Sequence, residues 1–92
     1  MRGKRKKTDV KLLYFAWLKT KTGLSEEDVS PPENVATVGE LLTWLEGRGP
    51  EFADALSDRD AIRVAVNQAF AKNSDPIGPN DEVALFPPVT GG

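Results

Sequence analysis

The sequence predicts an α+β domain in which a mixed sheet of four to five strands carries one main amphipathic helix packed across it. Three observations predict this. A capping box followed by an apolar stripe of helical period occupies residues 37–45, residues 61–67 alternate cleanly, and apolar runs lie near both ends, at 10–16 and 82–86. Ninety-two residues, 39% hydrophobic and 28% charged, make one domain of ordinary globular composition. A chain of this size buries roughly 60 to 65% of its unfolded surface on folding.

Taken in order, residues 1–9 form a basic N-terminal tail holding five of the twelve basic residues, Arg2, Lys4, Arg5, Lys6 and Lys7. No apolar period accompanies them, so a flexible, solvated terminus is expected. From Thr8 onward seven basic residues face fourteen acidic ones. Single-strand nucleic-acid binders place clustered aromatics on a basic sheet, so neither nucleic acid nor membrane is expected as a partner.

Val10 to Ala16 (VKLLYFA) reads as the first strand of a domain spanning residues 10–86. Alternation puts Val10, Leu12, Tyr14 and Ala16 on the core face and Lys11, Leu13 and Phe15 on the other. Residues 19–36 are polar and broken by Gly23 and Pro31-Pro32, so a second strand there must be short or irregular.

Thr37-Val38-Gly39-Glu40 has the form of a capping box and should start the helix. Val38, Leu41, Leu42 and Leu45 then make one apolar stripe with Trp44 on its flank, and Gly47 is placed to end it. Gly49-Pro50 can open a further short helix through Leu56.

Ala61 to Asn67 (AIRVAVN) is the clearest strand, with Ile62, Val64 and Val66 inward and Arg63 and Asn67 outward. A turn at Asn67-Gln68 sends Ala69 to Lys72 back as a short partner. Glu82 to Phe86 (EVALF) forms the last strand, with Val83 and Leu85 inward and Phe86 expected to be exposed. Asp58, Asp60, Asp75, Asp81 and Glu82 fall in turns or strand starts, where carboxylates serve turn formation and solvation.

The sequence has no cysteine and no histidine. Thiolate nucleophiles, imidazole bases, disulfides and most zinc or haem sites are thereby excluded. No bound cofactor or metal is expected. No apolar run approaches the ~20 residues that cross a bilayer, and the N-terminal segment lacks a signal-peptide pattern, so a cytoplasmic location is the expectation.

The chemistry-bearing segment is the ending, Phe86-Pro87-Pro88-Val89-Thr90-Gly91-Gly92. Pro87-Pro88 should stop the sheet ladder and project residues 87–92 as an extended tail. From Phe86 to Gly92 such a tail reaches at most ~20 Å. Two glycines present a backbone without side chains, able to enter a channel too narrow for other residues.

With AVNQ at Ala65 to Gln68 and the leading VKLLYFA strand, the FPPVTGG ending resembles the molybdopterin synthase small-subunit family (MoaD) over residues 10–92. The resemblance implies the β-grasp fold of ubiquitin and a sulfur-carrier role. A partner adenylyltransferase of the ubiquitin-activating type would use MgATP to activate the Gly92 carboxylate. A sulfur donor protein would then convert it to a thiocarboxylate. Inserted into the large synthase subunit, within a heterotetramer, the tail would pass its sulfur to a cyclic pyranopterin precursor in molybdenum cofactor biosynthesis. Such a carrier needs no catalytic side chain of its own, which suits a chain without His or Cys.

Gly92 and Gly91 are therefore the expected reactive residues. Phe86, Pro87, Pro88, Val89, Thr90, Phe15 and Phe70 are the expected partner-binding ones, Phe15 and Phe86 from alternation and Phe70 from the resemblance. Two features depart from the family pattern: the basic segment before the first strand, and Trp17 to Lys21 after it. A ubiquitin-like modifier joined to target lysines through Gly92, or a sulfur carrier for thiamin or amino-acid synthesis, remains as an alternative.

Overall fold

The structure, a computed structural model, describes residues 9–88. Five strands form one mixed sheet: β1 (Val10–Tyr14), β2 (Glu26–Val29), β3 (Arg63–Val66), β4 (Ala69–Ala71) and β5 (Glu82–Phe86), in the order β2-β1-β5-β3-β4. β1 runs parallel to β5 at the centre and antiparallel to β2, while β3 is antiparallel to both β5 and β4.

Helix α2 (Val38–Glu46) begins as the capping box requires. The Glu40 N–H donates to Thr37 Oγ1 at 3.2 Å, and the Thr37 N–H donates back to the Glu40 carboxylate at 3.1 Å. Its stripe of Val38, Leu41, Leu42 and Leu45 is buried with Leu12, Tyr14, Val64, Val83 and Leu85 of the sheet. Each buried leucine contributes about 1.5–3 kcal/mol by leaving water. Gly47 ends the helix with an ordinary φ of −81°, and α3 (Pro50–Ala55) follows with proline in its first turn.

Three expectations need correction. The first strand stops at Tyr14, because Ala16 turns the chain with φ 56° and is exposed rather than core-facing. Residues 19–36 hold more order than their polarity suggests: α1 (Trp17–Thr22) precedes β2 and ends at Gly23, whose φ of 77° glycine adopts without a Cβ clash. Tertiary contacts outweigh composition there, since Leu18 is fully buried, Trp17 Nε1 donates to the Ala55 carbonyl at 3.1 Å and Lys21 pairs with Asp54 at 2.7 Å. The third strand starts at Arg63, because the residues before it, Arg59–Ala61, close a 3-10 turn.

Candidate functional site

The helices cover one face of the sheet; the other carries the expected docking residues. Register places Leu13, Ala84, Ala65 and Phe70 in one row across β1, β5, β3 and β4, and paired residues of neighbouring strands point to the same face. The two small alanines leave the middle of this row shallow. Phe86 pairs with Arg63 in register two residues along.

Phe70 stands 76% exposed on the short edge strand β4, and its ring lies 5.9 Å from that of Phe86. Phe86 is thus half-buried, not exposed as alternation alone predicts, because the hairpin partner folds a second ring beside it. Phe15 is 48% exposed just past the end of β1, where its N–H donates to the Leu85 carbonyl at 3.1 Å. The structure therefore joins Phe70 to Phe86 and sets Phe15 beside β5.

Pro87 and Pro88 leave β5 half-buried, and Pro88 lines a groove of about 830 Å³ with residues of β3, β4 and the turn before β3. Val89, Thr90, Gly91 and Gly92 lie outside the described residues, as does the basic segment up to Thr8.

The AVNQ segment turns out to be a hairpin device. Asn67 and Gln68 both adopt positive φ, 52° and 73°, the geometry of a two-residue turn matched to strand twist. The Asn67 side chain then locks the turn to β5, donating to Asp81 at 2.9 Å while its oxygen accepts the Glu82 N–H at 3.0 Å. Asp81 also accepts the Gly78 N–H at 2.7 Å and Asp75 that of Lys72 at 2.8 Å, so these two carboxylates hold turns.

A polar network at the opposite edge was not legible from spacing. Glu27 of β2 accepts the Tyr14 hydroxyl at 2.7 Å and the Arg48 guanidinium at 2.7 Å. Burial, reinforced by the Glu27 carboxylate, pushes the Tyr14 hydroxyl above the ordinary phenol range, and the Glu27 hydrogen bond raises Arg48. Arg48 also sits 4.7 Å over the Phe52 ring. Among the described residues no helix is long and apolar enough to cross a membrane.

The ThiS family profile matches residues 12–92. The chain belongs to the ThiS family. Within it, the chain is 35% identical over 86 residues to the human molybdopterin synthase sulfur carrier subunit, covering 90% of this chain and 93% of that one. The same subunit from Escherichia coli K12 is 35% identical over 83 residues, covering 90% and 99%. Among solved structures, small archaeal modifier protein 1 of Haloferax volcanii superposes with a TM-score of 0.71 at 31% identity, covering 89% of this chain and 99% of that one. The fold is the ubiquitin-like β-grasp, as the resemblance implied.

Proposed function

We propose that this ThiS-family chain is the sulfur-carrier subunit of a molybdopterin synthase. The observation that carries the reading is its 35% identity, over 90% of its length, to sulfur carrier subunits from human and bacterial sources. The geometry supports it, since β5 ends at Phe86 and is followed by Pro87-Pro88, beside a face that carries the exposed Phe70 and Phe15.

In this reading an oxygen of the Gly92 carboxylate attacks the α-phosphate of MgATP on an adenylyltransferase, and pyrophosphate leaves. The acyl adenylate makes the carbonyl carbon a good electrophile. A donor protein supplies sulfur at the sulfide level, which attacks this carbon and expels AMP; in the large synthase subunit the sulfur of the thiocarboxylate then passes to the cyclic pyranopterin precursor, and water restores the Gly92 carboxylate. General acids, bases and charge-stabilising groups come from these partners, because the chain has no His and no Cys. Phe15, Phe70, Phe86, Pro87 and Pro88 dock on the large subunit of a cytoplasmic heterotetramer, while Val89, Thr90 and Gly91 thread its channel.

Intact-mass measurement after incubation with adenylyltransferase, MgATP and sulfur donor tests this. The expected result is the gain of one oxygen-to-sulfur exchange at Gly92, abolished when Gly91-Gly92 is deleted. A second reading, protein modification through Gly92, is favoured by the likeness to small archaeal modifier protein 1. Remnants of the 73–92 tail in isopeptide linkage to lysines of trypsin-digested target proteins, without the sulfur mass on the free chain, would establish it instead.

A further inference from the structure

The groove beside Pro88 reverses the charge of the domain around it. Residues from Thr8 onward carry fourteen acidic and seven basic side chains, yet among the described residues this groove is lined by Arg59, Arg63 and Lys72 with Asp60 as the one carboxylate. Arg59 is spent internally, on Glu46 at 3.0 Å and Thr43 at 2.7 Å. Arg63 is different: among the described residues its guanidinium donates to backbone carbonyls alone, of Asp60 at 2.9 Å and Ile62 at 3.4 Å. Neither Arg63 nor Lys72 has an ion pair among the described residues, whereas Lys11, Lys21 and Arg48 do.

The hairpin makes this a unit. Val64 pairs with Ala71, so Arg63 and Lys72, one step further out on β3 and beyond β4, become neighbours. The exposed Phe70 supplies an apolar surface next to them, and among the described residues β4 is the outermost strand of the sheet, where an extended chain could lie alongside. At about 830 Å³ the groove takes several residues of polypeptide, more than an isolated oxyanion fills.

We propose that this groove seats an extended acidic segment of the protein partner that handles the tail, with carboxylates meeting Arg63 and Lys72 and an apolar side chain against Phe70. Only the identity of the partner rests on the carrier reading. The placement of the groove at Pro88 then explains why its charge is left unneutralised: occupancy fixes the root of the tail while its end is processed.

The test uses the full chain with Arg63→Glu/Lys72→Glu, the milder Arg63→Gln/Lys72→Gln, and Lys19→Glu as a control on exposed α1. Dissociation constants are measured for the adenylyltransferase and the large subunit across a salt series. Amide shifts are followed in a titration with the capped peptide Glu-Leu-Glu-Leu-Glu. The expected outcome is a loss of affinity of about tenfold or more for at least one partner in the Glu pair, a smaller loss in the Gln pair, a flatter salt dependence, and none of these in the control. Peptide shifts should centre on residues 62–64 and 70–73.

Unchanged affinity for both partners, or peptide shifts centred elsewhere, overturns the proposal. So do equal shifts from inorganic phosphate, which would mean an oxyanion site only. If the wild-type chain acquires sulfur and the Glu pair behaves like it, the groove fails and the carrier stands. If the chain never acquires sulfur but the peptide maps to the groove, the carrier reading fails alone.

Discussion

The two edges of the sheet are finished in opposite ways. At the β2 edge every described charge of the Tyr14–Glu27–Arg48 network has a partner, and Arg48 is stacked over Phe52 as well. At the β4 edge Phe70 is 76% exposed, and Arg63 and Lys72 have no carboxylate partner among the described residues. An edge whose polar groups satisfy one another serves folding. An edge that leaves apolar surface and charge unmatched, next to Pro87-Pro88, has the character of the docking surface proposed above.

The sharpest way to break this contrast is at Glu27. Glu27→Ala removes the acceptor of a buried hydroxyl and the counter-charge of Arg48 together, so a loss of about 2 kcal/mol in urea unfolding is expected. Affinity for the large subunit should be unchanged. A stability change within about 0.5 kcal/mol would mean that water replaces Glu27 at no cost and that the β2 edge is no better closed than the other.

The converse substitution is Phe70→Ala. Because its ring is mostly exposed, stability should move by no more than about 0.5 kcal/mol, while binding to the large subunit weakens by about tenfold, or ~1.4 kcal/mol. Phe86→Ala serves as the intermediate case. Its half-buried ring leans on Phe70 at 5.9 Å, so it should lose affinity and also about 1–2 kcal/mol of stability. Equal destabilisation by the two substitutions would make both rings core residues and remove the docking face.

The contrast between edges also sorts what was legible in the sequence. Thr37-Val38-Gly39-Glu40 and the stripe after it declare their helix, because capping and period act within a few residues and do not depend on the rest of the fold. Residues 61–67 and 82–86 declare strands by alternation for the same reason. Helix α1 was hidden, since Trp17, Leu18 and Lys21 are held by the distant residues Ala55 and Asp54 and by the core.

The Glu27 network and the cationic groove were hidden likewise. Each needs residues from separate elements, and neither Arg48 nor Lys72 advertises its neighbours in its local pattern. The tail motif was legible as a family signature, and the AVNQ segment, at the start of β5 and away from the tail, proved to matter through the left-handed turn at Asn67-Gln68. For the docking face, alternation placed Phe86 on the correct side but missed that Phe70 would shield it.

The smallest effect concerns Tyr14, the one tyrosine of the chain. Its hydroxyl is buried and donates to Glu27, so the neutral phenol is favoured in the folded state and its pKa is raised. The unfolded chain keeps the ordinary value of about 10. Below that pH both states hold the proton and the stabilisation is complete; above it the unfolded state ionises first, and stability falls as pH rises toward the folded value. The slope is one proton, about 1.4 kcal/mol per pH unit. Tyr14→Phe gives up the hydrogen bond, about 1 kcal/mol at pH 7, but it also removes the group that titrates. Chemical unfolding of both proteins from pH 7 to 11 should therefore show curves that run parallel to about pH 9.5 and then converge. Curves that stay parallel to pH 11 would place the hydroxyl in water, and the β2 edge would then be open in the same way as β4.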